Sequence, residues 1–302
     1  MPAKKRVSKG PLPPLSKIQI ESQVYRKTLL DKWNSVPIKH IDHSAIKDLP
    51  SVTAVIEQMY KLLVAPDKKF VLLEVSYDTR NADHLKNIKY SDYLTLLPVS
   101  YSYPHNNDIQ NLPEVIVDTM IQRLVRCVAT SGIRVTAVYA SLAKQILDSE
   151  QFDILLDITT DIYKYSTAVI LPYLISETTW VLYIVDRETN SITYLNPCND
   201  IDPDEKHMKN ISNFMLHLNM SFAISDLWES SDKQILTPAR SKHLNNNNSG
   251  VCILMYALAY ITNITSKESD NIFTCFESTE LCSCRMLIAR CILAYRHTGH
   301  QV

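Results

Sequence analysis

The chain has 302 residues, of which 46% are apolar and 21% charged, and its formal net charge is -1. That length suffices for a sizeable core in one large domain or two modest ones, and the near-zero charge excludes a general binder of nucleic acid or anionic membrane. No apolar run approaches the roughly 18 residues that span a bilayer, and no apolar signal core opens the sequence, so an intracellular protein, nuclear or cytoplasmic, is expected. Its seven cysteines, irregularly spaced, then read as reduced thiols. The glycosylation-like triplets at Asn210, Asn219 and Asn263 read as chance matches for the same reason.

Residues 1–17 place Lys4, Lys5, Arg6 and Lys9 among Pro2, Pro11, Pro13 and Pro14, the composition of a disordered basic tail, with a nuclear-localisation patch as its alternative use. Residues 18–84 form an N-terminal extension. Val24, Leu29, Leu30 and Trp33 mark one amphipathic helix, and Val52, Val55, Ile56, Met59 and Leu62 mark a second between Ile46 and Leu63. Lys69 to Val75 is short, apolar and β-branched, hence a strand.

Residues 85–302 read as a second unit. Ser91 is placed to cap one short helical turn before Pro98, and Leu112 to Val128 is an amphipathic helix opened by Pro113. Val135 to Leu147 reads as a strand running into a helix, and Thr167 to Tyr173 as a buried strand ended by its proline. Trp180 to Asp186 and Ser191 to Leu195 are the next strands, joined by a short turn at Arg187 to Asn190. Asp204 to Leu218 is helical, and so is Thr279 to Tyr295, where Leu281, Cys284, Ile288, Cys291 and Tyr295 share one face. Helices on either side of a run of strands give an α+β or α/β class.

Between the last two helical stretches, the run Asn245 to Asn248 reads as a loop and stops abruptly at Ser249-Gly250. The ten residues that follow, Val251 to Tyr260, are apolar almost all round, so that helix lies inside the protein. Ser249 therefore stands at the mouth of a buried helix, where unpaired N–H groups and the dipole favour negative charge and where a thiol would ionise easily. On local sequence alone it is a good N-cap. Gly250 and Gly132 are the glycines of the body, and Gly250 marks a close backbone approach.

Taken together, these pieces resemble the ubiquitin-like-protein (SUMO) protease family, cysteine peptidases with a papain-like core. The residues that carry the resemblance are Ile88 to Pro98, Val169 to Pro172, Thr179-Trp180-Val181-Leu182, Tyr194-Leu195-Asn196-Pro197, His243, then Asn248-Ser249-Gly250-Val251 with Ser249 six residues on, and Arg285. It spans residues 85–295 and implies an α+β, papain-like core with the extra N-terminal block added. It also implies that Thr179 stands at the position of the histidine base, Asn196 at the orienting aspartate, His243 at the oxyanion glutamine and Ser249 at the nucleophilic cysteine. The family's Trp-Leu-Asn-Asp element is missing between Pro98 and Asn111. Trp180 survives; the resemblance makes it, with Asn248 and Gly250, part of a partner groove for a ubiquitin-like tail, against core packing as the alternative.

A cysteine protease depends on a thiol of pKa about 8.5 ionised by an imidazole that a carboxylate orients. A serine needs the base more, and threonine accepts no proton at neutral pH. Losing members of such a triad costs roughly four to six orders of magnitude in rate. The expectation is a pseudoprotease, a protein-interaction module or scaffold binding a ubiquitin-like protein, with no cofactor and no metal. The alternative is a divergent deconjugating peptidase in which His243 serves Ser249 as base. A third reading puts the function on the helices before residue 65. Among the other thiols to consider, Cys198 matches no motif, Cys252 is core-facing by its place three residues into the helix, and Cys275, Cys282, Cys284 and Cys291 carry core rather than zinc spacing, even with His297 and His300 nearby.

Overall fold

The computed structural model describes residues 27, 46, 48–64, 71–76, 85–96, 111–129, 134–149, 166–189, 191–198, 203–222, 234–236, 246–266 and 278–298. The basic tail, nearly all of the first expected helix, and His243 lie outside the described residues. In chain order the elements are α1 Val52–Val64, β1 Val71–Ser76, β2 Leu85–Lys89, α2 Tyr90–Leu94, α3 Glu114–Ala129, β3 Val135–Ala137 and α4 Ala140–Lys144, which runs on into a π-helical turn at Gln145–Ser149. They continue with β4 Ala168–Leu174, β5 Trp180–Asp186, β6 Ser191–Leu195, α5 Glu205–Phe222, β7 Gln234–Leu236, α6 Ser249–Ser266 and α7 Ser278–Thr298.

Strands β3 to β7 form one mixed sheet in sequence order. The β4–β5 and β5–β6 pairs are antiparallel, while β3 and β7 join the edges in parallel. The central strands are continuous apolar runs because both faces of the sheet are covered. Along β5 the alternation is strict. Trp180, Leu182 and Ile184 enter the core shared with α1, α3, α6 and α7, and Val181, Tyr183 and Val185 enter the core shared with α4 and α5. Residues 251–262 of α6 are all buried, as a helix without a polar face requires.

The N-terminal block belongs to the same core. Val55, Ile56 and Met59 of α1 are buried with α7, and the Arg290 Nε donates to the Pro50 carbonyl at 2.7 Å. β1 and β2 make a separate antiparallel pair beside it. Among the described residues no helix is long and apolar enough to cross a membrane.

Several local expectations need correction. Ser91 lies inside α2; the N-cap is Lys89, whose N–H donates to the Asp92 Oδ2 at 2.8 Å. Pro172 does not end its strand: β4 continues to Leu174, with Pro172 opposite Leu182. The short β3 stops opposite Ile170, so beyond that point β4 has a ladder neighbour on one side only, the setting in which a proline costs a strand least. Pro113 precedes α3, and its carbonyl accepts the Ile116 and Val117 N–H groups. The asparagine run is only partly loop, since Asn246–Asn248 form a 3-10 turn against α6. Asn210 is fully buried with its amide on the Leu147 carbonyl at 2.7 Å, which closes it to a glycan.

Candidate functional site at the mouth of α6

Three of the four positions marked out by sequence lie at one end of the sheet. Ser249 opens α6, Thr179 precedes β5 and Asn196 follows β6. Ser249 has no exposed surface, and its hydroxyl is engaged twice. It accepts the Trp180 backbone N–H at 2.9 Å and donates its own hydrogen to the Thr178 carbonyl at 3.1 Å. These two bonds bracket Thr179, so the hydroxyl is sewn to the backbone on either side of the position where a base is expected. Ser249 is therefore not the cap of its helix. It is a bridge from α6 to the start of β5.

Thr179 is 6% exposed, and its backbone groups bond within the turn before β5: its carbonyl accepts from Ile175 N–H at 2.9 Å and its N–H donates to Ser176 O at 3.4 Å. Asn196, 8% exposed, bonds to its own strand end. Its Nδ2 donates to the Tyr194 hydroxyl at 3.3 Å and its Oδ1 accepts the Cys198 N–H at 3.0 Å, a side-chain-closed turn.

That turn delivers Cys198, which matched no motif, to the site. Burial pushes its thiol up to about 11, against a smaller lowering by the neighbouring Ser249 hydroxyl. The thiolate is the reactive form. Alkylation of Cys198 by iodoacetamide is accordingly expected to be slow at pH 7 and to accelerate through pH 9–11 in the folded chain, with about one decade per pH unit as the measured slope. The linkage has the same sign. A thiol raised in the folded state favours folding while it stays protonated, so this contribution fades above the ordinary thiol value and is gone past pH 11.

The residues assigned to a partner groove are otherwise employed. Trp180 has no exposed surface and its Nε1 donates to the Leu112 carbonyl at 2.9 Å. Asn248 Oδ1 accepts from Arg285 Nε at 3.2 Å and Nη2 at 2.9 Å. A Cβ on Gly250 would stand 3.0 Å from both Leu112 Cβ and Trp180 Cδ1, so the close approach expected of this glycine is an approach to core side chains. Gly250→Ala is expected to cost about 1–3 kcal/mol in denaturant unfolding, because neither neighbour is a flexible chain end.

Arg285 supports the site from below. It is 1% exposed and, besides Asn248, donates to the carbonyls of Asn247 at 3.0 Å and Thr95 at 2.5 Å. Burial lowers its guanidinium to about 10, which leaves it charged at neutral pH. The 3-10 turn, the mouth of α6 and the end of α2 thus hang on one cation.

Leu112 was outside the expected site, and so was the element it belongs to. Asn111-Leu112-Pro113 leads directly into α3, and the Asn111 Nδ2 donates to the Glu177 carbonyl at 2.9 Å.

No protein-family model matches the chain, and no curated protein matches it. Solved structures do. The catalytic domain of the Chaetomium thermophilum Ulp1-like SUMO protease is similar with a TM-score of 0.60 at 12% identity, over 85% of this chain and 95% of that one. The fold is that of the SUMO proteases. SUMO protease Ulp1 with its catalytic cysteine oxidised to a sulfinic acid is similar with a TM-score of 0.56 at 14% identity, over 83% and 98%. The C-terminal Ulp1 protease domain in complex with Smt3, the yeast orthologue of SUMO, is similar with a TM-score of 0.54 at 14% identity, over 86% and 98%. The likeness extends into residues before 85, since 85% of the chain exceeds the span from residue 85 onward.

On the opposite face of this SUMO-protease-like sheet lies a polar cluster that sequence reasoning did not single out. His207 Nδ1 is 3.1 Å from the Tyr183 hydroxyl and its Nε2 is 3.4 Å from Asp148 Oδ1, which also accepts the Tyr173 hydroxyl at 2.9 Å. With Lys206 Nζ on the Asp148 carbonyl at 2.8 Å, these contacts fasten α5 to the π-helical turn. Burial raises the Tyr183 phenol. The cluster lies at the margin of the packing between α4, α5 and the sheet, with His207 buried and Asp148 partly exposed.

Proposed function

We propose that this chain is a protease-fold protein without peptidase chemistry that works by binding a protein, with a ubiquitin-like protein as the first candidate. One observation carries the reading: the hydroxyl at the nucleophile position accepts the Trp180 N–H and has its hydrogen on the Thr178 carbonyl. Acyl transfer needs a base to take that hydrogen as a proton, which a backbone carbonyl does not do. Thr179 and Asn196 supply neither a base nor a carboxylate to orient one. The candidate partner comes from the similar Ulp1 domain, whose solved complex holds the yeast SUMO orthologue.

Two measurements test the two halves. Incubation with a SUMO-type precursor is expected to yield no cleavage; cleavage that disappears in Ser249→Ala overturns the reading and restores a serine peptidase with His243 as its base. Titration against a panel of ubiquitin-like proteins is expected to show saturable binding to at least one. Absence of binding at high micromolar concentration removes that partner class.

A further inference from the structure

Asn111 and Leu112, just ahead of α3, are tied to the mouth of α6 and the turn before β5 at three depths. At the solvent edge Asn111 Nδ2 reaches the Glu177 carbonyl at 2.9 Å. Beneath it the Trp180 indole N–H reaches the Leu112 carbonyl at 2.9 Å. Deepest, Leu112 rests on Gly250, where an added Cβ would meet its Cβ at 3.0 Å. Ser249 and Trp180 lie behind these ties with no exposed surface.

We propose that this strap closes the approach to Ser249, so that a protein partner is gripped by its folded surface and not by an extended tail led to residue 249. The statement about the partner rests on the reading above; the closure stands on the ties alone. An extended chain docks by pairing its backbone with unpaired N–H and C=O groups along a slot. At this mouth those groups are bonded internally. Leu112 O accepts from Trp180, Glu177 O from Asn111 and Thr178 O from Ser249, while the Trp180 N–H is on Ser249 Oγ. The turn from Ile175 to Thr179 closes on itself in the same way, through Ile175 N–H to Thr179 O and Thr179 N–H to Ser176 O. A threading tail would have to break several of these bonds at once and lift Leu112 from Gly250.

Hydrogen exchange on the unmodified chain tests the closure. The Trp180 amide is expected to be protected by about a thousandfold relative to the unfolded chain. Leu112→Ala, which loosens the deepest tie, is expected to lower that protection by about tenfold or more while amides in the middle of β5 keep theirs. Exchange of the Trp180 amide within about tenfold of the unfolded rate overturns the strap. For the partner, a ubiquitin-like protein with its C-terminal tail intact and the same protein with the tail removed are expected to bind within about twofold of each other. A tail-dependent affinity overturns the surface grip. If neither form binds, the partner reading fails, and the exchange measurement still decides the strap.

Discussion

Arg285→Ala is expected to destabilise the protein by about 3–5 kcal/mol, because a fully buried side chain is removed and three acceptors, one buried and two half-buried, lose their donor together. Those acceptors are Asn248 Oδ1 and the Asn247 and Thr95 carbonyls, which belong to the turn before α6 and to the end of α2. Each buried acceptor left bare costs about 1–3 kcal/mol before relaxation. Arg285→Lys is expected to recover only part of the loss, since one ammonium on a flexible stem does not reproduce a planar fork that reaches three groups. Urea unfolding at neutral pH checks both variants. A loss under about 1 kcal/mol for the alanine variant shows that the guanidinium does not hold the site.

Ser249→Ala is expected to cost about 1–3 kcal/mol, a loss of stability at a position where the resemblance implies a nucleophile. The Trp180 N–H would become a buried donor with no acceptor, and Thr178 O would lose its donor. Ser249→Cys places the family's own atom at the same spot and is expected to destabilise too, since sulfur is larger and accepts hydrogen bonds weakly. It is also expected to leave the chain unable to cleave a SUMO-type precursor, because the resemblance puts Thr179, which accepts no proton, where the base would stand. Thermal or urea unfolding of the three proteins, with a cleavage assay alongside, separates the outcomes. An active Ser249→Cys protein places a working base near residue 249 and contradicts the proposed function.

The sites of disagreement between sequence and structure share a cause. The element pattern along Val169–Tyr173, Trp180–Asp186, Ser191–Leu195 and α6 was readable because apolar runs and their breaks are local, and each strand or helix lies where its run does. β2 and β7 were not readable. Leu85–Lys89 carries two lysines and an asparagine, and Gln234–Leu236 is three residues long, so each is a strand only because a neighbour offers it a ladder. Ser91 and Ser249 looked like caps since serine caps well, but a cap is a choice among acceptors. In α2 the Lys89 N–H goes to Asp92, and the Ser249 hydroxyl takes the Trp180 N–H at the start of β5.

What the sequence determined by itself is the order and type of the main elements and the buried helix after Gly250. These are properties of composition and spacing, and spacing survives folding. What only the tertiary structure decided is where the polar atoms at that helix mouth end up. Ser249 bridges Thr178 and Trp180, Asn248 serves Arg285 from 37 residues away, and Leu112 lies over Gly250. Hydrogen-bond partners distant in sequence are selected by distance and desolvation once the core has formed, and nothing in the one-dimensional pattern encodes those distances.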